Sequence, residues 1–130
     1  MKIVIKIFFI LLVPLSLKAE IYVVISDNSN IDNITKNELS NLYLKKTDRI
    51  HGQKVVVVNN VDDYDEFNKK VLNKTPSQIH AYWMKQIFLG RKVPPKKVDE
   101  KEIQRSINNL PNVITYTSKK INAKVIYAIN

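Results

Sequence analysis

The chain has 130 residues, 21 Lys and Arg against 12 Asp and Glu, and a formal charge of +9. That length makes one domain the expectation. With no cysteine in the sequence, disulfides and N-terminal lipidation are excluded, so a small hydrophobic core alone must hold the fold.

Residues 1–19 read as a secretory signal peptide. Lys2 and Lys6 supply the positive start, and "IFFILLVPLSL" (7–17) is an apolar run too short to span a bilayer. Ala19 offers a small residue for cleavage, although Leu17 two positions earlier is bulky. An uncleaved N-terminal anchor is the competing reading. Removing this segment takes Lys2, Lys6 and Lys18 and lowers the net charge from +9 to +6. The expected folded domain is 20–130, placed in the periplasm. Its cations are dispersed, which argues against nucleic acid. They suit solvated faces, or attraction to anionic ligands and membrane surfaces.

"IYVVIS" (21–26) reads as a covered β-strand. After a polar connector, Thr35 and Glu38 form a capping box, with Ile34 and Leu39 as its hydrophobic staple. Leu39, Leu42 and Tyr43 follow at helical spacing. "TDRIHGQ" turns the chain, and Gly52 suits a positive φ. "KVVVV" (54–58) reads as a second strand. In "VDDYDEFNKKVLN", Asp62 or Asp63 is the expected cap, and Tyr64, Phe67 and Val71 share a helix face.

The third helix starts with Thr75, Pro76 and Gln78, a cap, a first-position proline and a box partner. It runs into "HAYWMKQIFLGRKVPP" (80–95), which is either a basic, aromatic surface or one buried helix stopping at Gly90. Tyr82, Trp83, Ile87 and Phe88 are expected in the core. Arg91, Lys92, Lys96 and Lys97 are expected to face outward. Asp99 and Glu102 open a fourth helix with Ile103, Ile107 and Leu110 as its stripe, and Pro111 prevents continuation. "VITYTS" (113–118) and "AKVIYAI" (123–129) read as strands. The order β-α-β-α-α-α-β-β predicts an α/β fold with a mainly parallel sheet flanked by helices.

Catalytic chemistry is not visible. Gly52 and Gly90 are the only glycines, so no phosphate loop can form. His51 and His80 are the only histidines, and neither has metal-ligand spacing. Ser26, Ser77 and Ser118 lie in no nucleophile motif. The carboxylates of "DDYDE" are accounted for by helix capping. The reading is a non-enzyme with no metal and no cofactor. In open α/β sheets, ligands bind outside the strand ends. Ser26 and Asn28, Asn59 and Asn60, and Thr117 and Ser118 are the candidate ligand-binding residues, since each pair lies at or just past the end of a predicted strand.

Taken in order, "LYLKKTDRIHGQKVVVVN", "FNKKVLNKTPSQIHAYWMKQIFLGRKVPP" and "LPNVITYTS" resemble the short periplasmic phosphate-binding-protein-like family. That family is related to the substrate-binding proteins of phosphate ABC transporters. The resemblance covers nearly all of 20–130 and implies a single periplasmic-binding-protein-like lobe. It also implies a transport or solute-sensing role for an exported protein. In the family, an Arg and a Ser-Gly-Thr after the second strand grip the anion; here that stretch is "NNVDDYDEF". The family's glycines in "Phe-Leu-Gly-Lys" and "Ile-Gly-Tyr" are Lys45 and Thr115. The resemblance therefore implies the fold without the phosphate grip. The candidate partners are a small anion or polar solute, a membrane transporter or sensor protein, and a second copy of the chain. A structural protein that docks or dimerises without a solute is the alternative function.

Overall fold

The computed structural model describes residues 20–130. Its centre is a four-stranded sheet in the order β4 (Val56–Val57), β7 (Val113–Thr117), β1 (Ile21–Ile25), β8 (Lys124–Ile129). Two short two-stranded pairs accompany it. One joins β2 (Arg49–Ile50) to β3 (Gln53–Lys54), the other β5 (Asn59–Asn60) to β6 (Lys97–Val98). Four helices cover the sheet: α1 (Lys36–Tyr43), α2 (Tyr64–Lys70), α3 (Pro76–Phe88) and α4 (Glu100–Asn109).

Alternation along β1 sorts the molecule into layers. Ile21, Val23 and Ile25 face one core, with Leu39 and Leu42 of α1, Phe67 of α2, and Ile79 and Trp83 of α3. Val24 faces the other, with Ile103 and Ile107 of α4 and Val98. A strand covered on both faces reads as a continuous apolar run, as "IYVVI" does. The α/β class with helices flanking a sheet holds.

The sheet is mixed rather than mainly parallel. β1 runs antiparallel to both β7 and β8, while β4–β7 and β5–β6 are the parallel pairs. The reason lies in the connections. α1 leads out of β1, but the chain returns as β4 beyond β7, so β1 and β4 are not neighbours. Residues 118–123 link β7 to β8 without a helix. They cross the face of β1, where Ile121 and Ala123 pack with Tyr22 and Val24.

The expected 54–58 strand is one extended stretch that changes partner twice. Gln53–Lys54 pairs back on Arg49–Ile50, Val56–Val57 adds to the sheet, and Asn59–Asn60 pairs with Lys97–Val98. The first of these pairs is a two-residue hairpin. His51 (φ 49°) and Gly52 (φ 79°) both adopt the left-handed conformation that a type I′ turn requires.

Capping follows the sequence closely. Thr35 and Thr75 each accept from the backbone three residues on, and Glu38 and Gln78 reach back, so both capping boxes are complete. Asp99 accepts from the Glu102 N–H at 2.9 Å. Helix α3 ends in a Schellman turn: Arg91 N–H donates to Gln86 O, Gly90 N–H to Ile87 O, and Gly90 sits at φ 64°. The same turn closes α1, with Lys45 at φ 58° in the glycine position.

Three expected core residues are on the surface. Phe88 is 88% exposed and Ile87 47%. Ile79, Trp83 and Gln86 define the buried stripe of α3, and Phe88, two and a half turns after Ile79, points the opposite way. Leu110 is also exposed. It leaves the helical path at φ −128°, ψ 114° because Pro111 forces its predecessor into extended backbone.

Candidate functional site

Of the six candidate residues, four meet at one end of the sheet. β4 and β5 carry Asn59 and Asn60 up beside the end of β7, because β4 and β7 run parallel. Thr117 closes β7 there and Ser118 follows it. Ser26 and Asn28 are at the other end. β1 is antiparallel to β7, so Ile25 faces Ile114 while Tyr22 faces Thr117. Ser26 Oγ accepts from the Asn28 N–H at 3.3 Å in a local turn. Asn28 lines a shallow groove with Ser29, Pro111 and Asn112. The two groups do not converge, since the expected arrangement assumed that β1 and β7 point the same way.

Asn60, Thr117 and Ser118 surround two carboxylates, Asp63 at the start of α2 and Glu100, which the sequence did not place there. Ser118 donates to Asp63 twice, from its N–H to Oδ2 at 2.9 Å and from its hydroxyl to Oδ1 at 3.0 Å. Thr117 Oγ1 donates to Glu100, at 2.9 Å from Oε1 and 3.2 Å from Oε2. The fully buried Asn60 amide lies between them. Its Nδ2 is 2.7 Å from Glu100 Oε1, 3.0 Å from Tyr116 O and 3.3 Å from Asp63 Oδ2. Its Oδ1 accepts from the Asp62 N–H at 2.9 Å, which bends the chain into α2.

Asp63 thus stands at the N-cap position of α2 without making a side-chain cap. The expectation that the carboxylates of "DDYDE" serve as caps fails for Asp63. A paired N–H and O–H from Ser118 offers its carboxylate two charge-assisted bonds, against one from a helix N–H. Among the described residues, neither Asp63 nor Glu100 forms a salt bridge.

Asn59 plays a structural part. Its Oδ1 accepts from the Tyr116 hydroxyl at 2.8 Å, and its Nδ2 donates to Pro95 O at 3.4 Å. Burial pushes the Tyr116 phenol well above its usual range, so it remains a neutral donor. Tyr116 stacks on Phe67 with ring centroids 3.8 Å apart, and Tyr43 leans on both. Tyr43 donates to Val58 O at 2.8 Å, tying α1 to the strand that delivers Asn59 and Asn60. The cluster therefore rests on a rigid aromatic floor.

A groove lies elsewhere. It has a volume of about 550 Å³ between α3 and the 94–97 segment, with Ile79, Trp83, Pro94, Pro95 and Tyr64 among its walls. The basic stretch expected to face outward is partly tied down. Lys92 Nζ donates to Leu44 O at 2.8 Å, beside the Tyr82 hydroxyl on the same carbonyl. Lys96 pairs with Glu102, and Lys97 stands 3.8 Å over the Tyr64 ring. Among the described residues no three metal-ligating side chains cluster, and no helix is long and apolar enough to cross a membrane. Residues 1–19, with the expected signal peptide, lie outside the described residues.

No family model and no curated protein matches the sequence. Solved structures do. A protein of Clostridium perfringens assigned as a phosphate ABC transporter substrate-binding protein, solved with bound phosphate, is 18% identical with a TM-score of 0.60. The match covers 82% of this chain and 42% of that one. An ABC-type phosphate transport receptor of Vibrio cholerae is 14% identical with a TM-score of 0.50, covering 82% of this chain and 44% of its own. The chain spans less than half of each neighbour. It has the fold of a periplasmic-binding-protein lobe.

Proposed function

We propose that the chain is an exported, non-catalytic solute-binding or sensing module built on one receptor lobe, and that it does not grip phosphate by itself. The observation that supports this is the filled cluster at the end of β7. The donors that could hold an oxyanion there are the Ser118 N–H and hydroxyl, the Thr117 hydroxyl and the Asn60 amide. All are engaged by the carboxylates of Asp63 and Glu100. An entering dianion would have to displace two bound negative charges and would be repelled by them. The missing Arg and Ser-Gly-Thr of the resembling family point the same way.

A lone lobe also forgoes the contacts and desolvation that closure of two lobes provides. Capture of a polar solute therefore needs a second surface, supplied by a membrane transporter, a sensor protein or a second copy. Calorimetric titration with phosphate and other oxyanions, paired with cross-linking in periplasm, tests the reading. The expected result is no saturable phosphate heat in the micromolar range and a cross-linked transporter or sensor subunit. Micromolar phosphate binding overturns the filled-cluster part. Absence of any solute or protein ligand overturns the module itself. The alternative, an interaction protein without a solute, is favoured by the exposed apolar residues at the end of α3.

A further inference from the structure

Between Glu66 and Asp99 the chain has no acidic residue, yet this stretch holds seven lysines and an arginine. Within it, the end of α3 and the turn after it expose Met84 (51%), Ile87 (47%), Phe88 (88%), Leu89 (45%) and Val93 (63%). Nearly consecutive large apolar side chains in water mark a contact surface rather than chance exposure. Lys85 lies three residues before Phe88 and four before Leu89, so it shares their side of the helix. Arg91 follows on the same corner, and both cations are exposed.

We propose that this corner docks on an anionic lipid bilayer, with Phe88 and Leu89 among the headgroups and Lys85 and Arg91 on lipid phosphates. Three observations favour that occupant. Met84 and Ile87 line the α3 groove together with Asp65, whereas Phe88, Leu89 and Val93 stand outside it. Phe88 and Leu89 stand at the end of α3, and a bilayer accepts a protruding aromatic without a shape-matched pocket. The stretch carries cations only, so charge complementarity selects an acidic surface. The same uniform charge opposes a second copy, since pairing two such corners sets like charges against each other.

The lack of cysteine allows a clean probe. In the full chain, Leu89→Cys is labelled with an environment-sensitive dye, and Asn109→Cys on the opposite layer is the control. Vesicles of phosphatidylglycerol and phosphatidylcholine are compared with phosphatidylcholine alone. The expected result is a blue shift at position 89 with the anionic vesicles only. It is lost at about 1 M salt, where the Debye length is about 3 Å. The pair Lys85→Glu and Arg91→Glu weakens partitioning on the order of tenfold or more. Phe88→Asp does the same while the circular dichroism spectrum stays unchanged, because Phe88 has almost no core contact. The dye reads its own surroundings, so contact through residues 1–19 cannot mimic the signal. A silent label at 89, equal shifts at 89 and 109, or a response to an acidic protein but not to vesicles each overturns the proposal.

Discussion

At the scale of single residues, Asp63 decides what the end of the sheet can do. Its two oxygens hold both donors of Ser118, and the Asn60 amide lies within reach. Asp63→Ala should cost about 1–3 kcal/mol in chemical denaturation, because it strands partly buried donors. Its local neighbours in the sequence suggested a cap. Its actual partner is fifty-five positions away, and no periodicity reports a contact of that range. The opening of α3 shows the converse. Trp83 is legible as core from its helical spacing to Ile79, and it is 6% exposed. Trp83→Ala should cost about 3–5 kcal/mol by the same measurement. Phe88 is hydrophobic in identity but lies on the solvent side of α3 by its angular position. Its exposure is a matter of geometry that the spacing from Ile79 already contained.

Among the elements, helix ends were the most readable feature, since a cap depends on residues three apart. Both capping boxes and the Gly90 stop follow from local sequence alone. Lys45 is the exception, a non-glycine residue at φ 58° in a Schellman turn. Lys45→Gly should raise stability by about 0.5–1 kcal/mol. The relief of left-handed backbone is partly offset by glycine's greater freedom in the unfolded chain. Glu38 gives α1 a pH dependence. The Thr35 N–H, 3.0 Å from Oε1, is the main cause holding its carboxyl below the ordinary 4.5, with His51 3.2 Å away adding to it. A lowered folded value means that this stability is full above 4.5 and fades as pH falls through the lower value. Glu38→Gln keeps the capping bond and should flatten the fall of melting temperature below about pH 4.5. The short strands were less readable. "KVVVV" announces extended backbone but not its partners, and the change from hairpin to sheet to β6 depends on distant segments.

For the whole molecule, strand direction departs from the expectation: a mainly parallel sheet is expected, and β1 runs antiparallel to both its neighbours. Helices between apolar runs imply an α/β sheet with both faces covered, and that is what the two cores show. They do not say which strands are neighbours. Placing β1 between β7 and β8, antiparallel to both, sends Ser26 and Asn28 away from Asn60, Thr117 and Ser118. The lobe that results has its strand-end donors already taken, and eight of its cations lie in one acid-free stretch of sequence. Both features are the basis for the proposed association with a larger surface.

The most direct measurement follows the Ser118 amide by nitrogen-edited NMR while phosphate is added. Its N–H is bonded to Asp63 Oδ2 at 2.9 Å, so in the native chain its resonance should stay in place into the millimolar range. In Asp63→Ala, where that bond is gone, the same resonance should move as the anion takes the vacated donors. A saturable shift of the native Ser118 amide at micromolar phosphate would contradict the account.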